Sequence, residues 1–215
     1  MPTKLLIFDL DGTLIDSSAD ISKALNYAFQ PYGTPEVGLA ETIALIGEGL
    51  TRLIGKVIEE KAPGLDQSLV LKRFLEYYTR HLADNTRPYP GVERVLEGLS
   101  RYGKAVVSNK LEALTIKVLE AVHLLSYFEY IVGADTVAEK KPSPLPILTV
   151  LAHFEVRPDE ALLIGDSIYD IEAGFAAGVR TVAAMYGYGD PDFSKKADYR
   201  IDSLEGLFEI LARQD

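Results

Sequence analysis

Apolar and polar positions follow two regimes along this chain. In the first, short runs are apolar throughout: LLIF before Asp9, AVV before Ser108, YIV before Gly133, ALLI before Gly165, a run opening at Val179, and a shorter one opening at Tyr199. A run apolar at every position predicts a strand buried on both faces, the habit of parallel sheets. In the second regime, apolar residues recur at helical spacing over 92–99, 111–122 and 168–177. The first of these follows Pro90-Gly91. The second follows Ser108-Asn109, both favoured N-cap types, and the third closes at Gly178, where a left-handed C-cap is expected. Strands alternating with helices predict an α/β fold with a doubly wound parallel sheet, a Rossmann-like core.

Residues 16–85 break the alternation. They hold no convincing buried strand and predict amphipathic helices, among them 21–29, 50–60 and 69–82, parted by Pro31-Tyr32-Gly33 and Ala62-Pro63-Gly64. The organisation expected is a catalytic core of residues 1–15 and 86–215, with a helical cap domain, 16–85, inserted after the first strand. No repeat or low-complexity tract interrupts it.

With 215 residues, 47% of them hydrophobic, the chain is long enough for a sizeable core. Lys and Arg number 22 against 32 Asp and Glu, a formal charge of −10. That balance argues against nucleic acid and anionic membrane as partners, while a local basic cluster still suffices for a small anion. The absence of cysteine excludes disulfides, thiolate catalysis and Cys-ligated metal. The apolar run after Met-Pro-Thr-Lys is too short for a signal peptide or a spanning helix, so a cytoplasmic protein is expected.

Ligands of open α/β sheets bind beyond the carboxyl ends of the strands, and Asp9, Asp11, Ser108, Asp135 and Asp166 all fall at such ends. Asp9 and Asp11 stand two apart, so on leaving a strand they can point the same way, and Gly12 permits a sharp turn. Carboxylates this close repel unless a cation lies between them or one is protonated. Both arrangements suit phosphoryl transfer. A calcium loop would need glycine at its sixth position, where Leu14 stands. Asp166 ends a strand, and Asp170 lies on the next helical turn. Acids there suit the helix dipole, but beside Asp9 and Asp11 they suit a hard cation held by oxygens. Ser108 and Asn109 either cap the following helix or offer a hydroxyl and N–H groups to phosphate. Lys110 is expected to be a solvated helix residue, with contact to substrate the alternative. Lys140-Lys141 is either a surface pair or the source of one ammonium for a phosphoryl group. A nucleotide P-loop at Gly49–Val57 fails on spacing and on Val57. His81, His123 and His153 lie apart from these motifs, and Phe74, Tyr77 and Tyr78 are expected to pack helices.

In order along the chain, DLDGTLIDS, VVSNK, KKPSP and GDSIYDIEAGFAAG resemble the four motifs of the haloacid dehalogenase superfamily, and the whole chain is most similar to its phosphoglycolate phosphatase group. The resemblance implies a Mg²⁺-dependent phosphatase working through an aspartyl phosphate, with 2-phosphoglycolate the best single substrate. Asp9 is then the nucleophile and Asp11 the acid and base. Ser108, Asn109 and Lys141 bind phosphate, with Lys140 the alternate to Lys141. The cation is held by Asp9, the Asp11 main-chain oxygen and Asp166, with Asp170 behind them. GEGLTR at 47–52 resembles the cap loop that meets substrate, which makes Arg52 the candidate for a substrate carboxylate. The expected partner is a small phosphorylated metabolite, and the expected state a monomer or homodimer. The competing activities are phosphoglucomutase-type transfer, hydrolysis of a sugar phosphate, nucleotide or pyrophosphate, and non-enzymatic phosphate binding. A dehalogenase would need no acid at Asp11.

Overall fold

A computed structural model describes residues 2–213. The apolar runs are the strands of one six-stranded parallel sheet: β1 (Leu5–Phe8), β4 (Gly103–Val107), β5 (Tyr130–Val132), β6 (Ala161–Gly165), β7 (Arg180–Ala184) and β8 (Tyr199–Ile201). Their order is β5-β4-β1-β6-β7-β8. The chain builds outward from β1 to one side, then returns to build the other, so β1 lies at the point where the order reverses. That is where ligands of such sheets gather.

Alternate residues of each strand face opposite layers, as the period of two requires. Leu6, Phe8, Val106 and Ile164 pack against α5 (Val92–Gly98), α6 (Glu112–Ala121) and α9 (Gly206–Ala212). Leu5, Ile7, Ala105 and Leu163 pack against α7 (Leu145–Phe154) and α8 (Ile168–Ala177). Helix α8 starts at a reciprocal cap between Ser167 and Asp170 and ends at Gly178, whose φ of 72° is left-handed. The other anticipated start differs. Ser108 and Asn109 do not cap α6; Asp135 does, accepting from the Glu112 N–H at 2.8 Å. Asp135 is thereby turned away from the sheet edge and leaves the set of candidate site residues.

Between β1 and α5 the chain forms four helices: α1 (Ser18–Phe29), α2 (Leu39–Leu45), α3 (Leu50–Lys61) and α4 (Gln67–His81). At seven residues, α2 spans about two turns, too little for a helical period to show in sequence. Two short strands frame this section. β2 (Ile15–Asp16) pairs antiparallel with β3 (Arg87–Pro88), so the outgoing and returning chains run side by side. Asp20, 1% exposed, ties the same place together. Its carboxylate accepts from the N–H groups of Asn85 and Thr86, the Asn85 amide and the Thr86 hydroxyl, at 2.6–2.8 Å. Burial alone would raise its pKa, but these four donors outweigh it and hold the group below the ordinary carboxylate value. Asp20→Ala strands the buried N–H of Thr86 and removes the acceptor of Asn85, and is expected to cost about 2 kcal/mol in urea unfolding, with Asp20→Asn losing less. An unchanged unfolding midpoint in Asp20→Ala would mean that the strand pair alone holds the crossing.

Among the described residues, no helix is long and apolar enough to cross a membrane.

Candidate active site

Strand β1 ends at Phe8, and the Asp9 N–H continues the ladder to the Ile164 carbonyl at 2.9 Å. The Asp9 side chain is thereby held at the sheet edge, next to the end of β6. The chain then turns at Gly12, φ 92°, where a Cβ would lie 2.2 Å from an Asp166 oxygen. Only glycine permits both that φ and that approach. Asp166 is held in turn by the Thr13 hydroxyl (2.8 Å) and the Tyr188 N–H (2.8 Å). Asp9, Asp166 and Asp170 each place a carboxylate oxygen within 4.8 Å of the others, and all three are buried.

Lys141 is threaded through this acid group. Its ammonium, 2% exposed, lies 2.8 Å from Asp9 and 2.6 Å from Asp170, and donates to the Val107 carbonyl at 2.7 Å. Burial would strip its proton, but Asp170 and Asp9 reverse that and keep it charged, its pKa raised. Asp170 is fully engaged: one oxygen takes Lys141, the other the N–H and hydroxyl of Ser167. The neighbouring Lys140 has another task, donating to the Glu48 carbonyl in the loop before α3.

Asp11 is drawn away from the acid group. Both its oxygens meet Lys110, at 2.7 and 2.6 Å, and one accepts from the Ser17 hydroxyl at 2.5 Å. Lys110 is thus a buried, ion-paired residue rather than the solvated one that its place before a helix predicts. Asn109 spans three segments, its amide donating to the Gly47 and Lys141 carbonyls at 2.8 and 3.0 Å. The Ser108 hydroxyl accepts from the Lys110 N–H at 3.2 Å.

These groups floor a cavity of about 70 Å³ that also reaches Asp9 and Lys141. Its roof comes from the four-helix section and is largely apolar: Ile21, Leu50, Leu53, Phe74 and Tyr78. Phe74 and Tyr78 therefore both pack the core and line the cavity. A second opening, about 560 Å³, reaches Asp9 and Asp166 between α2 and the loop after β7. Arg52 lines neither. It is half exposed and lies 3.4 Å from both Glu48, in the loop before α3, and Glu59, on α3, so two acids hold its guanidinium here. No histidine lines either opening; His81 pairs with Asp84, and His153 stacks on Tyr130.

The site holds four acids, Asp9, Asp11, Asp166 and Asp170, against two ammonium groups, Lys110 and Lys141. The imbalance shows in the acids. Burial, partly offset by Lys141, lifts Asp9 to about 7, and burial with Asp9 and Asp170 nearby raises Asp166 well above its usual value. Buried oxygens with two surplus negative charges fit a divalent hard cation.

A doubly wound parallel sheet that gathers buried acids and a buried lysine at its switch point fits a hydrolase of the α/β class. The chain belongs to the haloacid dehalogenase-like hydrolases, whose family model matches residues 6–184. It is 41% identical to a phosphoglycolate phosphatase of Aquifex aeolicus over 191 residues, 86% of each chain. It is 37% identical to the phosphoglycolate phosphatase of Nitrosospira multiformis, covering 88% of this chain and 86% of that one. Its fold matches the crystal structure of a predicted phosphoglycolate phosphatase from Haemophilus somnus with a TM-score of 0.92, 30% identity and 97% of both chains covered.

Proposed function

We propose that this hydrolase is a Mg²⁺-dependent phosphomonoesterase with 2-phosphoglycolate as its preferred substrate. The observation that carries this reading is Asp9, its oxygen 2.8 Å from the buried Lys141 ammonium and its carboxylate beside Asp166. The names of the relatives at 37–41% identity support the substrate.

In this reading an Asp9 oxygen attacks phosphorus, and the ester oxygen leaves with a proton from Asp11. Asp11 then takes a proton from the water that cleaves the aspartyl phosphate, releasing phosphate and restoring Asp9. Lys141, Ser108 and Asn109 hold the phosphoryl oxygens, and Asp170 keeps Lys141 charged and aimed. Asp9, the Asp11 main-chain oxygen and Asp166 would hold Mg²⁺, which supplies charge neutralisation between carboxylate and phosphate. Residues 16–85 act as a cap domain that opens to admit substrate and closes to exclude water. Lys140, Asn109 and the Tyr169 hydroxyl, 2.5 Å from Glu48, are core groups gripping its loop at Gly47–Glu48.

Phosphate release from a panel of esters, with and without chelator, tests the reading. The panel holds 2-phosphoglycolate, sugar phosphates, nucleotides, pyrophosphate and an aryl phosphate. Expected is release strongest for 2-phosphoglycolate and abolished by EDTA. Isomerisation of a sugar phosphate without net release would turn the reading to a mutase. Binding of a phosphate analogue without turnover of any ester would turn it to a regulator.

A further inference from the structure

Two polar side chains in the cavity lie outside the phosphoryl chemistry. Lys110 comes from the core and directs two of its three N–H groups at Asp11. Tyr78 comes from α4, on the opposite side. It is 1% exposed, its hydroxyl faces the Lys110 ammonium and has no other partner, and its ring centroid lies 5.3 Å from that ammonium. The cavity around the pair is otherwise apolar on its roof, with Ile21, Leu50, Leu53 and Phe74.

We propose that Lys110 and Tyr78 form the subsite for the leaving group, and that they take a carboxylate borne on the carbon next to the ester oxygen. Lys110 stands two residues beyond Ser108, so a phosphoryl group held at Ser108 and Lys141 leaves its ester arm in reach of the Lys110 ammonium. The Tyr78 hydroxyl completes the pair as a second donor from the roof. An incoming carboxylate shares the ammonium with Asp11 and brings that acid into contact with the arm that carries the leaving oxygen. Apart from Tyr78 the roof side chains are apolar, so burying the several hydroxyls of a sugar or nucleoside there is unfavourable. The subsite rests on the phosphatase reading above and adds to it the residues that choose the ester.

The test compares kcat/KM for 2-phosphoglycolate with that for ethyl phosphate, which has a methyl where the carboxylate stands. The quantity read is the ratio of the two. In wild type the ratio is expected to be large. Lys110→Met is expected to lower it about a hundredfold, Lys110→Arg to keep most of it, and Tyr78→Phe to lower it about tenfold with an unchanged circular dichroism spectrum. Should Lys110→Met fail to fold, Tyr78→Phe decides, since it removes one oxygen and keeps the ring. A ratio unchanged in either variant, both esters slowing in proportion, would overturn the subsite and leave Lys110 acting through Asp11 alone. Equal rates for the two esters in wild type would also overturn it while the phosphatase reading stands. Wild type that hydrolyses neither ester, nor an aryl phosphate, overturns the phosphatase reading itself.

Discussion

Asp9→Asn is expected to lower phosphate release at least about a thousandfold while leaving the protein as stable as before or more so. The two halves have one cause. Burial lifts the Asp9 carboxyl to about 7, so at pH 8 the folded state bears the cost of holding it charged among Asp166 and Asp170. An amide occupies nearly the same volume and carries no charge. It also lacks the electron pair that attacks phosphorus. Turnover near normal would remove Asp9 from the chemistry. Lost turnover together with a lowered melting temperature would assign it a structural role.

Lys141→Met is expected to reduce activity at least about a thousandfold and to destabilise the fold by about 3–5 kcal/mol at pH 8. Among the described residues its ammonium is the one cation touching both Asp9 and Asp170, and those acids are nearly inaccessible to water. Removing it leaves them buried without a counter-charge. The sign of the pH dependence follows. An acid whose folded pKa is raised costs nothing below its unfolded value, near 3.8 for Asp9, because both states are then protonated. The penalty grows as pH rises toward the folded value, about 7 with Lys141 present and higher without it. The variant should therefore lose more stability at pH 8 than at pH 5 in urea unfolding. A loss equal at both values would show that packing of the lysine stem, and not its charge, was the contribution.

Much of this arrangement is legible in the sequence, and for definite reasons. Strands buried on both faces leave continuous apolar runs, and β1, β4 and β6 were readable as such. Helix α8 announces itself at both ends, through Ser167 and Gly178. Asp9 and Asp166 could be placed at one edge because sheet topology collects strand ends there, whatever lies between them in the chain. What could not be read are choices made by side chains across long separations. Lys110 and Asp11 are 99 residues apart, and nothing local distinguishes a lysine before a helix that turns outward from one that turns in. The signal available was its place directly after the β4 strand end. Lys140 and Lys141 are adjacent and chemically alike, yet backbone direction sends one to Glu48 and the other to Asp9. Asp135, Arg52 and Asn109 share a feature that no local reading of the sequence shows. Each has a competing partner: the α6 N-terminus for Asp135, Glu48 and Glu59 for Arg52, and the Gly47 and Lys141 carbonyls for Asn109.

The strand order also fixes when the site can exist. β1 precedes the other strands of its sheet in the chain, yet Leu5 pairs with Gly103 on one side and with Ala161 on the other. During synthesis LLIF waits with open edges until most of the chain has emerged, an apolar ribbon that must be shielded from its own kind. The two pairings close loops of unequal length, the longer at a slightly greater entropic cost. It is this second closure, β6 against β1, that brings Asp166 to Asp9. Recovery of enzyme activity during refolding is therefore a clock for completion of the sheet, and a nascent chain cut before Ala161 carries the nucleophile without the acid beside it.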